Sequence, residues 1–548
     1  MDGLRPASTP GRFPCSSRRS CSGGRWTTWL RPRSSRRHGK PCWPPCLTGY
    51  SSRAEEHPHP GNVTLWPSRV VDTRMQMATT RERFTDEQNQ RALGLVLGAA
   101  VGDALGAPFE FGAPGDYRRR FPTPVLGGRG EMIGGGSFGW APGEFTDDTQ
   151  MAIALGEALL QHGGYDPDTV WAWFRAWCDT ANDVGNQTRW ALRHADWRDV
   201  PRDTESSAGN GALMRAFPLA LAFLDADDDL ARDVVLHQAG LTHPDPAAGW
   251  GAWLAVAMMR QALRGQDPFD NLEALVDSVP EAQRKDFASV LLSGWTPNDP
   301  APSNGSVWGC LAQAVWAVRS TASFESAIVA AIQLGNDTDT VACVAGALAG
   351  ARYSVQGIPS RWATYVHGAL DAPDGRLVYR MDHLQQFARR LLGGTDRSET
   401  PPESPAGPQE VAPWLHAADL LGANDAPTDW AIVSLCRTRD RFANHDIRRQ
   451  VYLIDESEPE RNIGLASAVR DAVDAVDALL AEGRNVIVHC HGGRSRTGLV
   501  LKAWAMRTYG YSEREAHSWL ADQWYRYADY NDAFVEFLDS DWPSPARP

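Results

Sequence analysis

Apolar residues recur at steps of three and four over most of the chain between residues 86 and 392, where apolar and polar positions do not alternate for long. This period is typical of helices that bury one face. We therefore predict a mostly helical region. Its clearest predicted helices span residues 90–105, 149–161, 168–180, 249–263, 307–320, 324–334 and 338–353.

The last of these predicted helices carries small residues at helical spacing: Ala342, Ala345, Gly346, Ala349 and Gly350. Small residues let the backbone of a neighbouring helix approach closely. We therefore expect this helix to lie at the centre of the bundle.

The pattern changes beyond residue 393. Residues 393–413 are rich in Gly and Pro, which is typical of a linker. Short apolar runs then predict strands, and longer periodic runs predict helices. The predicted strands span residues 430–435, 451–454 and 485–489, and the predicted helices span 465–480 and 497–509.

Strands that alternate with helices indicate a small α/β domain with a partly parallel sheet. The sequence thus predicts a multidomain protein with an all-α domain at residues 79–392 and an α/β domain at residues 414–540. The Pro-rich residues 541–548 are expected to form a frayed tail.

Residues 1–78 show no helical or strand period and are rich in Arg, Ser, Pro, Gly, Trp and Cys. Residues 1–80 contain 13 Lys and Arg against 4 Asp and Glu. Such a composition is typical of disorder, so we predict a disordered basic leader. Alternatively, translation begins at Met75 or Met77, where ordinary globular composition starts.

The chain of 548 residues has a formal net charge of -13 and a mean hydropathy of -0.38. This acidic balance argues against a general nucleic-acid or membrane-surface binder. No run of 18 or more apolar residues occurs, so we expect no membrane-spanning helix. Scattered single cysteines point to a reducing compartment and hence to a cytoplasmic protein.

Two groups of hydroxyl and carboxylate side chains begin predicted helices far apart in the chain. One is Thr146, Asp147 and Asp148, and the other runs from Asp337 to Thr340. Such residues often cap helices, which explains each group alone. Together they are hard oxygen ligands whose like charges need compensation. We therefore favour a site for two divalent cations if the fold brings the groups together.

The order and spacing of several motifs resemble those of the ADP-ribosylglycohydrolase family, which includes the dinitrogenase reductase activating glycohydrolases. The motifs are residues 102–110 (GDALGAPFE), 145–149 (FTDDT), 184–186 (VGN), 209–215 (GNGALMR), 241–243 (LTH) and 335–340 (GNDTDT).

This resemblance implies an all-α fold with a centre of two divalent cations, Mg or Mn, that binds the ribose hydroxyls of ADP-ribose. Glu110 would lie near the cations as a ligand or as an acid/base, and Asp183 would lie near the anomeric carbon. The implied metal ligands are Thr146, Asp147, Asp148, Asp337, Asp339 and Thr340. The implied lining of the ADP-ribose pocket is Gly209, Asn210, Gly211 and His243, although a histidine there could equally be structural.

A second chemical signature lies at residues 486–498 (VIVHCHGGRSRTG) and places Cys490 and Arg496 on either side of a Gly-rich loop. Backbone amides in such a loop and at a helix N-terminus bind phosphate, and arginine grips it with two N–H groups. The same positive field would hold Cys490 as a nucleophilic thiolate. A core cysteine at a strand end is the alternative, but it does not explain the arginine and the glycines.

The signature resembles that of the Cys-x5-Arg tyrosine and dual-specificity phosphatases over about residues 414–540. The resemblance implies that Thr497 assists the departing thiolate and that an upstream aspartate is the general acid. Asp455 fits that position best, although the same loop also offers Glu456 and Glu458. We expect no cofactor for this domain.

The sequence therefore predicts a metal-dependent hydrolase that removes ADP-ribose from mono-ADP-ribosylated proteins, joined to a phosphatase acting on phosphotyrosine or phosphoserine and phosphothreonine. Two alternatives stay open. The helical domain could instead be a reader, which binds ADP-ribose without cleaving it and delivers the phosphatase to modified proteins. A domain that only binds ADP-ribose would not need both acidic groups, however. The phosphatase could instead act on lipid or nucleotide phosphates.

Overall fold

The computed structural model describes residues 84–202, 208–292, 294–300, 302–395, 404–458 and 461–542. The predicted basic leader at residues 1–78 lies outside the described residues. We call residues 84–395 the helical region and residues 404–542 the α/β region.

The helical region contains all seven predicted helices, and it adds several that the period did not single out. Its helices are α1 Asp86–Gly106, α2 Asp116–Arg120, α3 Asp147–His162, α4 Pro167–Cys178, α5 Asn186–Ala191, α6 Gly211–Met214, α7 Phe217–Ala222, α8 Asp228–Gly240, α9 Pro246–Leu263, α10 Leu272–Asp277, α11 Glu281–Leu291, α12 Val307–Arg319, α13 Phe324–Ile332, α14 Thr338–Tyr353, α15 Ser360–Ala363 and α16 Met381–Leu391.

A β-hairpin interrupts this helical region, and the sequence pattern did not predict it. Strands β1 (His367–Ala372) and β2 (Gly375–Arg380) pair antiparallel. The two residues between them are Pro373 and Asp374, so the chain carries the Pro-Asp-Gly sequence of a tight turn. That turn signal was available, but the strands are too short for their alternation to stand out.

Helices α1 and α14 pack backbone against backbone at the centre of the bundle, as the small residues of α14 predicted. A Cβ atom added to Gly102 would lie 1.9 Å from the carbonyl oxygen of Ala342, and one added to Gly98 would lie 2.4 Å from that of Gly346. Only glycine fits at these crossings, because any side chain would overlap the facing backbone. The contact holds the C-terminal end of α1 against the N-terminal end of α14.

The segment Asp86–Phe109 is, by length and composition alone, apolar enough to span a membrane, and 94% of its apolar window is buried inside the protein. It is the one such helix among the described residues. The expectation of no such segment was based on uninterrupted apolar runs, which Asp103 breaks in this helix. The burial matches a core helix, since its neighbours already cover the apolar surface.

The α/β region contains a five-stranded sheet in the order β3-β4-β7-β5-β6. Strands β3 and β4 are antiparallel, and the other neighbours are parallel. The elements are β3 Gln409–Ala412, β4 Leu415–Asp419, β5 Ala431–Ser434, β6 Arg448–Gln450, α17 Leu465–Ala481, β7 Val486–Cys490, α18 Ser495–Tyr509, α19 Glu513–Gln523 and α20 Asp532–Ser540.

Three boundary predictions for this region were wrong. Strand β3 lies inside the predicted linker, so the domain begins earlier than residue 414. The predicted strand at 451–454 is an extended loop that follows β6; its Tyr452 packs on the core of the helical region rather than in a sheet. Trp542, in the predicted frayed tail, is buried and donates to the carbonyl oxygen of Ala503.

Strand β6 lies at one edge of the sheet, and the helical region covers that edge. The amide of Gln450 donates to Thr364 Oγ1 at 2.9 Å, and the amide of Arg448 donates to the Tyr365 hydroxyl at 3.0 Å. Side chains therefore satisfy backbone groups that an open sheet edge would leave to water or to another chain.

The loop after β6 is tied to the helical region through Gln356, a buried side chain. Its Nε2 donates to the carbonyl oxygen of Tyr452 at 3.2 Å and to Asn462 Oδ1 at 2.7 Å, and its Oε1 accepts from the amide of Gly464 at 2.7 Å. Asn462 in turn exchanges two hydrogen bonds of 2.9 Å with the backbone of Ile454. One glutamine thus organises a loop of the neighbouring region.

Candidate functional sites

The two acidic groups predicted from the sequence meet at the N-termini of α3 and α14. Asp148 joins them, because its Oδ2 accepts from Thr146 Oγ1 at 3.3 Å and from Thr340 Oγ1 at 3.4 Å. Asp147 and Asp339 are also buried. Residues about 190 positions apart in the chain therefore form one acidic cluster.

Asp103, a residue of α1 that the sequence reading did not assign to the site, caps helix α3. Its carboxylate accepts from the amides of Thr146 at 2.9 Å and Thr149 at 3.1 Å, and from Thr149 Oγ1 at 2.6 Å. Thr146 makes no capping hydrogen bond with its own side chain. Thr146, Asp147 and Asp148 therefore do not serve as the cap of α3, because the carboxylate of Asp103 on another helix accepts the hydrogen bonds from its first amides.

Burial and mutual repulsion raise the pKa values of the cluster. Burial is the largest cause for Asp147, Asp148 and Asp339, whose pKa values lie well above the usual range, and neighbouring carboxylates add to it. The pKa of Asp337 is also raised, mainly by burial. Gathering these groups without a cation is therefore unfavourable.

Glu110 and Asp183 border the same cluster. Burial, then the charges of Asp183, Asp337 and Asp103, raise the pKa of Glu110 to about 8. Burial, then Asp337, raise the pKa of Asp183 to about 6. Both predicted acid/base candidates therefore lie within electrostatic reach of the proposed ligands.

Two buried oxygen atoms test whether the cluster suits cations. Asp148 Oδ1 and Glu110 Oε2 are buried and have no hydrogen-bond partner among the described residues. Buried polar atoms without partners are costly, and a divalent cation would supply the missing partner to hard carboxylate oxygens. The residues present therefore fit a site for divalent cations.

The residues that were predicted to line an ADP-ribose pocket lie close to one another. A Cβ atom added to Gly211 would lie 2.9 Å from the His243 ring, and one added to Gly209 would lie 3.4 Å from it. Burial, then the charge of Arg215, lower the pKa of His243 to about 3, so this ring is neutral. Glycine backbone and imidazole thus pack together and form one wall, and its role in binding ADP-ribose stays a prediction.

Asn210 has a role that the sequence did not indicate. Its Nδ2 donates to Asp337 Oδ2 at 2.7 Å and to the carbonyl oxygen of Asn304 at 2.9 Å. Asn304, which the sequence reading missed, donates to the carbonyl oxygen of Gly335 at 3.0 Å. Both asparagines hold the loop that leads into α14, and Asn304 lies in an Asn-Gly pair ahead of a helix, which was the available signal.

The second site lies in the loop between β7 and α18. Gly493 has φ of +67°, and a Cβ atom there would lie 2.9 Å from the carbonyl oxygen of Ala418. The loop therefore needs glycine at this position. Trp524 Nε1 fixes it by donating to the carbonyl oxygen of Gly493 at 2.6 Å. Cys490, at the end of β7, is buried at the base of this loop.

Arg496 is clamped in place beneath the loop. Its Nη1 donates to the carbonyl oxygens of Leu435 at 3.2 Å and Leu453 at 3.3 Å, and its Nε lies 3.7 Å from Asp455 Oδ2. Thr497 is fully buried, and its hydroxyl has no hydrogen-bond partner among the described residues. Both side chains that the motif singled out lie in the first turn of α18, which follows the cysteine loop.

Asp455 is brought to the cysteine loop, although the strand expected to precede it is absent. It accepts from Ser495 Oγ at 2.5 Å, from the Tyr530 hydroxyl at 3.0 Å and from Asn531 Nδ2 at 3.3 Å. Burial, then the charge of Asp455 and its hydrogen bond, raise the pKa of Tyr530 to about 12. Of the three acidic residues that the sequence left open, Asp455 contacts Arg496.

His489 supports the loop from below. Its Nε2 shares a hydrogen bond of 2.7 Å with Ser434 Oγ on the neighbouring strand. Burial lowers the pKa of His489 to about 4, so the ring is neutral. The pair links β5 to the residue that precedes the nucleophile candidate.

A third group of ligand atoms lies on the far side of α18. Glu513, His517 and Asp529 place their ligand atoms within 4.8 Å of one another. Lys502 Nζ lies 2.7 Å from Glu513 and 2.9 Å from Asp529, so a lysine already supplies the cation there. Among the described residues the acidic cluster forms no group this tight, as expected for like charges that repel.

Comparison with protein families assigns both regions. A family model described as ADP-ribosylglycohydrolase matches residues 85–401, more than half of the chain. The chain belongs to the ADP-ribosylglycohydrolase family. A second model, described as dual specificity phosphatase, catalytic domain, matches residues 431–538. We therefore call the two regions the glycohydrolase domain and the phosphatase domain.

Known relatives share the glycohydrolase domain. ADP-ribosylarginine hydrolase Tri1 of Pseudomonas putida (strain GB-1) is 31% identical over 359 residues, which are 63% of this chain and 86% of the relative. ADP-ribosyl-[dinitrogen reductase] glycohydrolase of Rhodospirillum rubrum is 34% identical over 280 residues, 50% of this chain and 89% of the relative. A solved ADP-ribosylglycohydrolase-related protein complex shares 34% identity, covering 56% of this chain and 99% of its own, with a TM-score of 0.46.

Proposed function

We propose that the glycohydrolase domain removes ADP-ribose from mono-ADP-ribosylated proteins at a centre of two divalent cations, Mg or Mn. The observation that carries this proposal is Asp148, whose Oδ2 joins the two acidic groups while its buried Oδ1 has no hydrogen-bond partner among the described residues. An oxygen placed in this way suits a shared metal ligand. The relatives' names favour ADP-ribosyl-arginine as the first substrate to test.

The cations would be held by Thr146, Asp147, Asp148, Asp337, Asp339 and Thr340. When bound, they would orient the ribose hydroxyls and lower the pKa of bound water. The chain's own residues supply the remaining steps. Asn210 orients Asp337 through its hydrogen bond of 2.7 Å. Glu110 and Asp183 border the cluster and would move the proton from water to the departing nitrogen or oxygen of the modified side chain.

The wall formed by Gly209, Gly211 and His243 would bind the ADP-ribose moiety. The glycines let the His243 ring pack closely against their backbone, and the neutral imidazole leaves this wall uncharged. This surface would position the anomeric carbon over the cluster, while the modified protein would lie outside it.

The decisive experiment compares wild type with Asp339→Ala, measuring metal content and the release of ADP-ribose from ADP-ribosyl-arginine and ADP-ribosyl-serine peptides in Mg or Mn. We expect the variant to lose bound metal and release together. Asp229→Ala is the control, since the Asp229 side chain is 83% exposed. Binding of ADP-ribose without release by wild type in either metal would contradict the proposal and favour the reader.

We infer that the phosphatase domain hydrolyses phosphotyrosine, phosphoserine or phosphothreonine. Cys490 would attack phosphorus while Arg496 and the loop amides bind the phosphoryl oxygens. Asp455 would protonate the leaving oxygen, and the Thr497 hydroxyl would donate to the departing thiolate during hydrolysis of the intermediate. The support is the arrangement of Asp455 and Arg496 at 3.7 Å beside the loop.

Its test compares phosphotyrosine, phosphoserine and phosphothreonine peptides with phosphoinositide and nucleotide phosphates, using Cys490→Ser to define background. Turnover of a phosphopeptide above that background supports the proposal. Turnover restricted to lipid or nucleotide would support the alternative substrate class. The cytoplasmic location is likewise a proposal, and the five described cysteines, Cys178, Cys310, Cys343, Cys436 and Cys490, are free thiols.

A further inference from the structure

A cavity of about 330 Å³ lies between the two domains, and it belongs to neither site described above. The glycohydrolase domain contributes Arg380 and Asp382 to its wall, and the phosphatase domain contributes Ser434, Arg437 and Arg448. Its volume lies at the lower end of the range typical of small-molecule pockets. Only the joined domains form this space.

The cavity wall carries an excess of positive charge. Its charged residues are Arg380, Arg437, Arg439, Arg448 and Arg449 against Asp382 and Asp440. Two of the arginines are paired with these carboxylates, because Arg437 Nε lies 3.3 Å from Asp382 and Arg380 Nη1 lies 3.3 Å from Asp440. The cavity wall therefore carries five arginines and two carboxylates.

Arg449 is held only by uncharged groups. Its Nη2 donates to the carbonyl oxygens of Leu126 at 3.0 Å and Gly128 at 2.8 Å, and its Nη1 donates to the Tyr365 hydroxyl at 3.2 Å. These bonds fix the orientation of a buried guanidinium without neutralising its charge.

Arg448 presents a second unbalanced charge. Its Nε is buried and has no hydrogen-bond partner among the described residues. Burial lowers the pKa of Arg448; the positive charges of Arg380 and Arg129 lower it further, while Tyr365 and Asp440 act in the opposite direction. An anion in the cavity would offset this repulsion and give the guanidinium a partner.

We propose that this interdomain cavity is a binding site for a small anion that carries phosphate or diphosphate. Planar guanidinium groups match phosphate oxygens with paired N–H donors, and several of them around one cavity suit an anion that carries more than one negative charge. Two sources share this chemistry: free inorganic phosphate, and the diphosphate of a nucleotide-like molecule. Ser434 Oγ, on the cavity wall, also bonds His489 beside Cys490, so the site adjoins the support of the cysteine loop.

The test is calorimetric titration of the full chain at low ionic strength with EDTA, using inorganic phosphate and pyrophosphate as separate probes. Because the cysteine loop also binds phosphate, wild type should bind two pyrophosphates and Arg448→Gln one. Arg496→Met should lose phosphate binding at the cysteine loop, so this variant should bind one pyrophosphate, in the interdomain cavity. Adding Arg448→Gln to Arg496→Met should then weaken that binding at least tenfold.

A second pair of variants guards against misfolding. Arg380→Gln alters an exposed wall residue and should also weaken the cavity binding. Arg376→Gln is its matched control, because Arg376 lies on the same strand, is similarly exposed and pairs with Asp371, outside the cavity. In Arg496→Met, tighter binding of pyrophosphate than of phosphate would identify a diphosphate, and the reverse would identify free phosphate. The same stoichiometry and affinity in wild type, Arg448→Gln and Arg380→Gln would overturn the proposal.

These readouts do not depend on either hydrolytic activity. EDTA removes the divalent cations that the glycohydrolase proposal requires, and the titration measures binding alone. A failure here therefore leaves the proposed functions intact, and their failure leaves this site intact.

Discussion

The two sites differ in the sign of the charge that they concentrate and in the length of chain that forms them. The acidic cluster gathers carboxylates from α1, α3 and α14, and their buried negative charges raise one another's pKa values. The phosphatase loop instead places Cys490 and Arg496 within one strand, loop and helix, and needs only a short segment. The first site depends on the whole helical frame, while the second depends on local backbone geometry.

This difference predicts where each site is vulnerable. The acidic cluster is held by the backbone contact of α1 with α14 and by Asp103, which caps α3 from another helix. The phosphatase loop is held by Gly493 and by the indole of Trp524. Damage to the bundle should therefore affect release of ADP-ribose before it affects phosphate hydrolysis.

The largest effect should come from Cys490→Ser. We expect phosphopeptide turnover to fall on the order of 10⁴-fold, since the nucleophile is lost. Release of ADP-ribose should stay unchanged, because Cys490 lies in the other domain. Steady-state rates of both reactions on one preparation check this, and a parallel fall in both would show that the sites are not independent.

Asp148→Asn should break the acidic cluster with a smaller effect. We expect release of ADP-ribose to fall at least about a hundredfold, because the residue that joins both groups loses its charge. In EDTA the variant should melt at a higher temperature than wild type, since one buried like charge is gone.

Thermal melts with and without Mn check this second expectation. The increase in melting temperature on adding Mn should shrink in Asp148→Asn and persist in the exposed control Asp229→Asn. A variant that keeps the full stabilisation by Mn would show that Asp148 is not a ligand.

The contrast between the sites also explains what the sequence could predict. The phosphatase loop is contiguous, so its residues and roles were readable from one motif. The acidic groups were readable as helix starts, but their meeting depended on the resemblance. Asp103 was missed because its partners, Thr146 and Thr149, lie more than 40 positions away, and no local pattern links a helix to a cap on another helix.

The remaining errors lie where the domains touch. The apolar run at 451–454 was predicted to be a strand, yet Tyr452 is partly buried against the glycohydrolase domain. An apolar run shows that residues are buried but not against what, so a domain contact and a sheet give the same signal. The interdomain cavity was unpredictable for the same reason, since its arginines come from segments with no motif in common.

Gly102→Ala should damage the bundle that the acidic cluster needs. The added Cβ would lie 1.9 Å from the carbonyl oxygen of Ala342, so the helices must separate, which costs about 3 kcal/mol of unfolding free energy. At temperatures where the variant is folded, release of ADP-ribose should fall more than phosphopeptide turnover. Urea unfolding and both activities check this.

Gly185→Ala is the matched control for that substitution. A Cβ atom at Gly185 would meet nothing within 4 Å, and its backbone suits alanine. We expect a change within about 0.5 kcal/mol. Equal destabilisation by the two variants would rule out the close helix contact as the cause.

Gln356→Ala should give the smallest effect and would sharpen the comparison, because it alters the phosphatase domain from outside. The loss of its hydrogen bonds to Tyr452, Asn462 and Gly464 should cost about 1–3 kcal/mol. Asn462 bonds the backbone of Ile454, next to Asp455, so phosphopeptide turnover should fall severalfold while release of ADP-ribose holds. The exposed Gln266→Ala should change neither rate. If Gln356→Ala lowers stability but leaves phosphopeptide turnover unchanged, the contact only joins the domains. The geometry of the phosphatase site would then depend on its own domain alone.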